Sequence, residues 1–247
     1  MTPTSEPRLP SLPARAALLL DLDGTLLDIA ATPAAVVVPP DLPGTLARVR
    51  AALDGALAVV SGRPVEQIDA LLDGIPYAVA GEHGAAIRPA PGAALERGEL
   101  PALPAAWVEQ AERVAAGYRR VVLERKAHGL VLHYRLEPAA GPALRRALLS
   151  ILGGDDALFT IMPARMAWEL KPRAADKGRA VRWLMARVPF AGRVPVYVGD
   201  DVTDEDGIAA ARGLGGIGFN VQQSFGDAAG VRGWLATLAR TVRRGQG

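Results

Sequence analysis

Residues Leu18 to Ile29 read LLLDLDGTLLDI. An apolar run ends in two carboxylates one residue apart, and Gly24-Thr25 follows at once. Residues i and i+2 of a strand share a face, so Asp21 and Asp23 are expected side by side. Two like charges that close oppose each other's ionisation. A divalent cation is the natural compensation, because hard cations take carboxylate oxygens. The run before them, Ala16–Leu20, has no polar alternation and reads as a buried strand.

Outward from that strand the chain alternates. Asp41 is placed to cap a helix through about Leu53, with Leu46, Val49 and Leu53 on one face. ALAVVSGRP carries a second buried strand, Ala56–Val60, and Pro64 suits the first turn of a helix to about Leu72. YAVAGEHGAAIR reads as two short strands around a turn. Buried strands alternating with helices predict an α/β fold with a Rossmann-like parallel sheet covered on both faces. The pattern then changes. After the Pro/Gly-rich PAPGAALERGELPALP come a helix (about Ala105–Tyr118), a hairpin of VVLERK and LVLHYRLE, a helix (about Pro142–Leu152), and a hairpin of LFTIM and MAWELK. That order predicts a small antiparallel sheet with helices on one face. From Lys177 the first pattern returns, with helices near Gly178–Val188, Glu205–Ala211 and Val231–Arg243 and strands at Val194–Val198 and Gly215–Phe219. The expected division is a disordered leader (1–13), a core built from 14–89 and 172–247, and an inserted α/β domain over 90–171.

Composition removes several classes. The 247 residues contain no cysteine, which excludes disulfides and thiolate metal sites. No apolar run is long enough for a membrane span. The net charge of +2 comes without a basic block or aromatic-basic stripe, so neither nucleic acid nor membrane is an expected partner. A cytoplasmic monomer is the expectation. Cations are almost all arginine; the only lysines are Lys126, Lys171 and Lys177. A lysine kept in so Arg-rich a chain marks a place where a planar guanidinium would not fit.

In an open parallel sheet, ligands bind at the carboxyl ends of the strands. Those ends here carry Asp21 and Asp23, then Ser61-Gly62, then Gly199-Asp200-Asp201. The set suits Mg²⁺, which takes a few carboxylates and leaves room for water and phosphate oxygens. A phosphate monoester repels a carboxylate nucleophile until cations neutralise it. Asp21 can then attack phosphorus, Asp23 can serve as acid and then base, and Ser61, the backbone at Gly62 and the Lys177 ammonium can hold the phosphoryl group.

The segments DLDGTLLDI, VVSGRP, DKGRAV and VYVGDDVTDEDGI resemble the haloacid dehalogenase-like phosphohydrolases. That resemblance implies Asp21 as nucleophile, Asp23 as general acid/base, and Ser61 and Lys177 as phosphate-binding residues. It implies a Mg²⁺ site from Asp21, Asp23 and Asp200, with Asp201 and Asp204 as further ligands or as their partners, and an insertion acting as a cap. A narrower resemblance, in VSGRPVEQID, GEHGAAIR, ERKAHGLVLHYR, WELKPRAADKG and GDDVTDEDGI, is to the trehalose-6-phosphate phosphatases. It implies hydrolysis of a sugar phosphate, with Lys126 and Glu169 holding the distal sugar. The family's acid in the Gly-x-His-Gly segment is replaced here by Ala86, with Glu82 nearby.

Arg63, His83 and His133 complete the candidate substrate contacts. Plain readings stand beside these: His83 as a turn residue, and His133 and Lys126 as solvent-facing strand residues; Lys171 reads equally as a contact to substrate phosphate or as a hinge ion pair. Trp107 and Tyr118, at helical spacing, read as core. The alternatives are a phosphatase for sucrose 6-phosphate or a glycosyl phosphoglycerate, a phosphomutase sharing the aspartyl intermediate, and a sugar-phosphate-binding regulator without turnover.

Overall fold

The polar leader gives way to β1 (Ala16–Leu20), whose five residues are all buried. The computed structural model describes residues 10–30, 32–153, 157–164 and 166–244. Most of the expected leader, residues 1–9, lies outside them; Pro10 lies within, and its carbonyl accepts the Trp234 indole N–H at 2.6 Å.

The elements then follow as α1 (Leu42–Ala52), β2 (Leu57–Val60), α2 (Val65–Leu72), β3 (Ala78–Gly81), β4 (Ala86–Arg88), β5 (Glu96–Arg97), α3 (Ala105–Ala116), β6 (Val122–Arg125), β7 (Leu130–His133), α4 (Gly141–Leu152), β8 (Phe159–Ala164), β9 (Ala167–Pro172), α5 (Lys177–Met185), β10 (Val194–Gly199), α6 (Asp204–Gly213), β11 (Ile217–Asn220), α7 (Val221–Ser224) and α8 (Ala228–Arg244). Among the described residues no helix is long and apolar enough to cross a membrane. The chain divides into two compact units, one holding residues up to Glu96 and from Asp176 onward, the other Arg97–Ala175.

In the first unit seven strands lie in the order β11-β10-β1-β2-β3-β4-β5. Pairing is parallel from β11 through β3, and β4 returns antiparallel on β3. Alternation sorts the strand residues onto two apolar layers. Leu18, Leu20, Val196 and Val198 pack with α1 and α8 through Leu46, Val49, Val231 and Trp234. Leu19, Ala58, Val60 and Tyr197 pack with α5 and α6 through Ala180, Leu184 and Ile208. Both faces of the sheet are therefore covered, as buried parallel strands require.

The second unit is a four-stranded antiparallel sheet in the order β6-β7-β9-β8. One face carries Leu130, Leu132, Leu170 and Phe159, which pack against α3 and α4 through Ala111, Leu144 and Leu148. Trp107 and Tyr118 join this core. By register, Glu124, Val131, Glu169 and Met162 line the opposite face.

Local readings needed correction in three places. Asp41 occupies the position before α1 with helical dihedrals and makes no side-chain cap. The helix expected to Val188 ends at Met185. The loop read from PAPGAALERGELPALP contains β5, a two-residue strand too short to leave a pattern.

Candidate active site

β1 ends at Leu20, and the chain turns before Asp21 and Asp23 can alternate as strand residues. Leu22 is fully buried, and its carbonyl accepts from the N–H groups of Leu26 and Leu27 at 2.9 Å. Gly24 adopts φ +88°, and a Cβ there would lie 2.1 Å from Asp200 Oδ2. Only glycine fits this close approach.

The two acids of the opening motif consequently have different surroundings. Asp21 is 4% exposed. Lys177 Nζ donates to its Oδ1 at 2.7 Å and Thr25 Oγ1 to its Oδ2 at 3.0 Å. Asp23 faces Arg63, whose Nε and Nη2 donate to its two oxygens at 2.6 and 2.8 Å. The Asp21 N–H still donates to the Val198 carbonyl of β10 at 2.9 Å, and the chain leaves the sheet between there and Gly24.

Three carboxylates do converge. Asp21, Asp200 and Asp204 each offer an oxygen, and these lie within 4.8 Å of one another. Asp204 opens α6 and is fully buried. Its Oδ1 accepts from Lys177 Nζ and from the Tyr197 hydroxyl, both at 2.7 Å, and its Oδ2 from the Asp201 N–H at 3.0 Å. Gly199 leaves room, since a Cβ there would lie 2.2 Å from Asp204 Cγ. Asp201 itself is exposed, and its Oδ1 accepts the Val202 N–H at 2.7 Å. Lys177 is the first residue of α5, a helix capped by Asp176, which accepts the Arg179 N–H at 2.6 Å.

Burial pushes the Asp21 carboxyl well above its ordinary value; Asp204 adds to this, and Lys177 opposes it. Burial alone would lower Lys177, but Asp21 and Asp204 raise it, so it stays an ammonium. Burial, with Asp204 beside it, holds the Tyr197 phenol far above its ordinary value and keeps it a donor. Two of the three acids, Asp21 and Asp204, share the Lys177 ammonium. This donor set fits a divalent cation: all-oxygen, and positioned at the carboxyl ends of β1 and β10.

Ser61 follows β2 and is 2% exposed. Its Oγ accepts the Arg63 N–H at 3.2 Å. The Gly81–Gly84 turn braces this segment: Glu82 N donates to Arg63 O at 2.9 Å and His83 N to Ser61 O at 3.0 Å. The His83 ring packs against Gly62, where a Cβ would lie 2.7 Å from Nε2. Glu82, His83 and Gly84 all have positive φ (50°, 56° and 91°). Such strain persists only where the surroundings enforce it. Ala86 is buried in the apolar layer beside Val65 and Val79, and Glu82 is 7% exposed.

In the second unit, Lys126 Nζ donates to Glu169 Oε1 at 2.7 Å, with both side chains 7% exposed. His133 Nε2 lies 2.8 Å from Glu124 Oε2. The hydrogen bond with His133 holds Glu124 below its ordinary value against partial burial. The Lys171 ammonium donates to the Ala175 carbonyl. His128 stands in the hairpin connection, its Nδ1 3.4 Å from Pro101 O.

Sequence reasoning passed over Thr25, Tyr197 and Glu124. Glu124 had a usable signal: it lies two residues from Lys126, on the same strand face. Tyr197 is the one aromatic in an otherwise aliphatic strand, VPVYV.

A Rossmann-like sheet with these motif residues at its strand ends defines a haloacid dehalogenase-like hydrolase. The trehalose-phosphatase family profile matches residues 19–229. A probable trehalose-phosphate phosphatase of Sinorhizobium fredii is 36% identical over 235 residues, covering 90% of this chain and 87% of its own. The trehalose-6-phosphate phosphatase of Escherichia coli is 35% identical over 246 residues, covering 95% and 91%. The C-terminal domain of the C. albicans trehalose-6-phosphate phosphatase superposes with a TM-score of 0.72 at 21% identity, over 92% of each chain, a likeness of fold. The chain belongs to the trehalose-phosphatase family.

Proposed function

We propose that this protein is a Mg²⁺-dependent phosphomonoesterase that hydrolyses trehalose 6-phosphate to trehalose and phosphate through an aspartyl phosphate. Family membership supports the substrate. The observation that carries the chemistry is the cluster of Asp21, Asp200 and Asp204, two of which share one buried ammonium. Asp21, Asp200 and Asp204 would hold Mg²⁺, which supplies positive charge against the phosphoryl oxygens and the ionised Asp21.

The residues then act as follows. An oxygen of Asp21 attacks phosphorus, and the bond from phosphorus to the sugar oxygen breaks. Asp23 gives that oxygen a proton. Asp23 next takes a proton from water, whose oxygen attacks phosphorus and releases phosphate, freeing Asp21. Arg63 occupies both oxygens of Asp23, so the pair opens before Asp23 carries a proton. Ser61, the Gly62 backbone and Lys177 hold the phosphoryl oxygens. Lys126 and Glu169, with His133 beside them, bind sugar hydroxyls from the inserted domain, which closes as a cap and excludes bulk water. In this reading the enzyme works as a cytoplasmic monomer with no nucleic-acid or membrane partner.

The test is phosphate release from trehalose 6-phosphate, sucrose 6-phosphate, glucose 6-phosphate and mannosyl phosphates, with and without Mg²⁺. Release dependent on Mg²⁺ and highest kcat/KM with trehalose 6-phosphate is expected. Preference for another ester removes trehalose from the reading, and release that survives metal chelation removes the Mg²⁺ role.

A further inference from the structure

Tyr197 is a buried phenol in a strand whose other core positions are aliphatic. It is fully buried on the face of β10 that packs against α5 and α6, among Ala180, Val181 and Ile208. A phenol in such surroundings costs free energy unless its hydroxyl finds an acceptor. Phenylalanine would fill the same volume without that requirement. The acceptor here is Asp204 Oδ1, the oxygen that also receives Lys177 Nζ.

Consider Asp204 as an acceptor with four lone-pair positions. Three are taken: two on Oδ1 by Lys177 and Tyr197, and one on Oδ2 by the Asp201 N–H. The donors come from α5, from β10 and from the loop before α6. Donors from three elements fix the plane of the carboxylate. Lys177 is shared, since Nζ also donates to Asp21 Oδ1 at 2.7 Å. Hydrogen-bond donation from Tyr197 withdraws part of the negative charge on Asp204. Without it, the ammonium is drawn toward Asp204 and away from Asp21. The fold makes room for the ring at Gly207 in α6, where a Cβ would lie 2.5 Å from Tyr197 Cζ. Helix α6 therefore admits a glycine, a costly residue in a helix interior, at the place where the phenol passes beneath it.

We propose that the Tyr197 hydroxyl is a positioning group for phosphoryl transfer: it orients Asp204 and so keeps the Lys177 ammonium bridged to Asp21. This rests on the reading of Asp21, Asp204 and Lys177 given under Proposed function. Tyr197 touches neither substrate nor the reacting atoms and acts through Asp204.

The experiment uses the full chain and Tyr197→Phe. Three quantities are measured: kcat and KM with trehalose 6-phosphate and with p-nitrophenyl phosphate in Mg²⁺, the Mn²⁺ dissociation constant by electron paramagnetic resonance, and the metal-free melting temperature. Loss of one hydrogen bond to a charged group predicts kcat lower by about tenfold on both esters with KM within about twofold. The Mn²⁺ dissociation constant is expected to rise about threefold, a fraction of the same interaction. A lower melting temperature with unchanged kcat and unchanged Mn²⁺ affinity makes Tyr197 a packing residue and overturns the proposal. So does an unchanged value of all three. A wild-type chain that neither binds Mn²⁺ nor releases phosphate overturns the functional reading itself, and the positioning role with it.

Discussion

Each unit buries a lysine against carboxylate, and the two arrangements differ in charge balance. In the first unit Lys177 faces both Asp21 and Asp204, with side chains 3%, 5% and 0% exposed, and Asp200 stands beside them. In the second, Lys126 pairs with Glu169, and Glu124 with His133. The first gathers three carboxylate oxygens within 4.8 Å of one another, a set that can take a cation. In the second, each of the two carboxylates has a nitrogen donor of its own. Buried ion pairs of this kind need complete partnering to be tolerated.

Four substitutions break or sharpen that contrast, in falling order of effect. Asp21→Asn should abolish phosphate release, by roughly 10⁴-fold or more, as removal of a nucleophile does. It should also raise the melting temperature in metal-free buffer, because it removes one of three acids whose oxygens lie within 4.8 Å of one another. A melting temperature that falls sharply would mean the cluster is already balanced. Next, Lys177→Met leaves the acids with no buried cation. It should cost about 3–5 kcal/mol of stability by denaturant titration, the scale for removing one partner of a buried pair.

Lys126→Ala acts on the balanced side. It should raise KM for trehalose 6-phosphate about tenfold or more, the scale of one charged hydrogen bond, and leave KM for p-nitrophenyl phosphate nearly unchanged. Equal changes for both esters would place Lys126 outside the sugar site. The smallest effect belongs to Glu124→Gln. Glu124 titrates below its ordinary value in the folded protein. Its contribution is therefore full at neutral pH and fades as pH falls below the ordinary glutamate range through the lowered folded value. The loss at neutral pH should be no more than about 1 kcal/mol, since the pair is partly exposed. The wild-type and variant melting curves should converge in acid.

How much of this was legible before folding depends on how local the signal is. β1, β2 and β10 announce themselves as aliphatic runs stopped by Asp21, Ser61 and Asp200, so the sheet and its functional edge could be read directly. The hairpin of β6 and β7 followed from alternation. Arg63 was legible as a site residue but not as the partner of Asp23, forty positions away. Of five acids grouped by motif, the separation into a cluster of three, one guanidinium-bound carboxylate and one exposed loop acid was invisible. Tyr197 looked like any inward strand residue, because nothing near it in the chain carries its acceptor.

The order of apolar runs and polar stops, taken alone, determined the α/β class, the interruption by an antiparallel module and the edge where the chemistry gathers. Periodicity and turn chemistry act over a few residues, and the chain carries them wherever it goes. Only the tertiary structure decided which charges meet. Asp21 finds Lys177 and Asp204 because β1 and β10 lie side by side with α5 and α6 opening at their ends. A hydrogen-bonded ion pair needs its atoms within about 3 Å, and such distances between remote residues exist only once the sheet has formed.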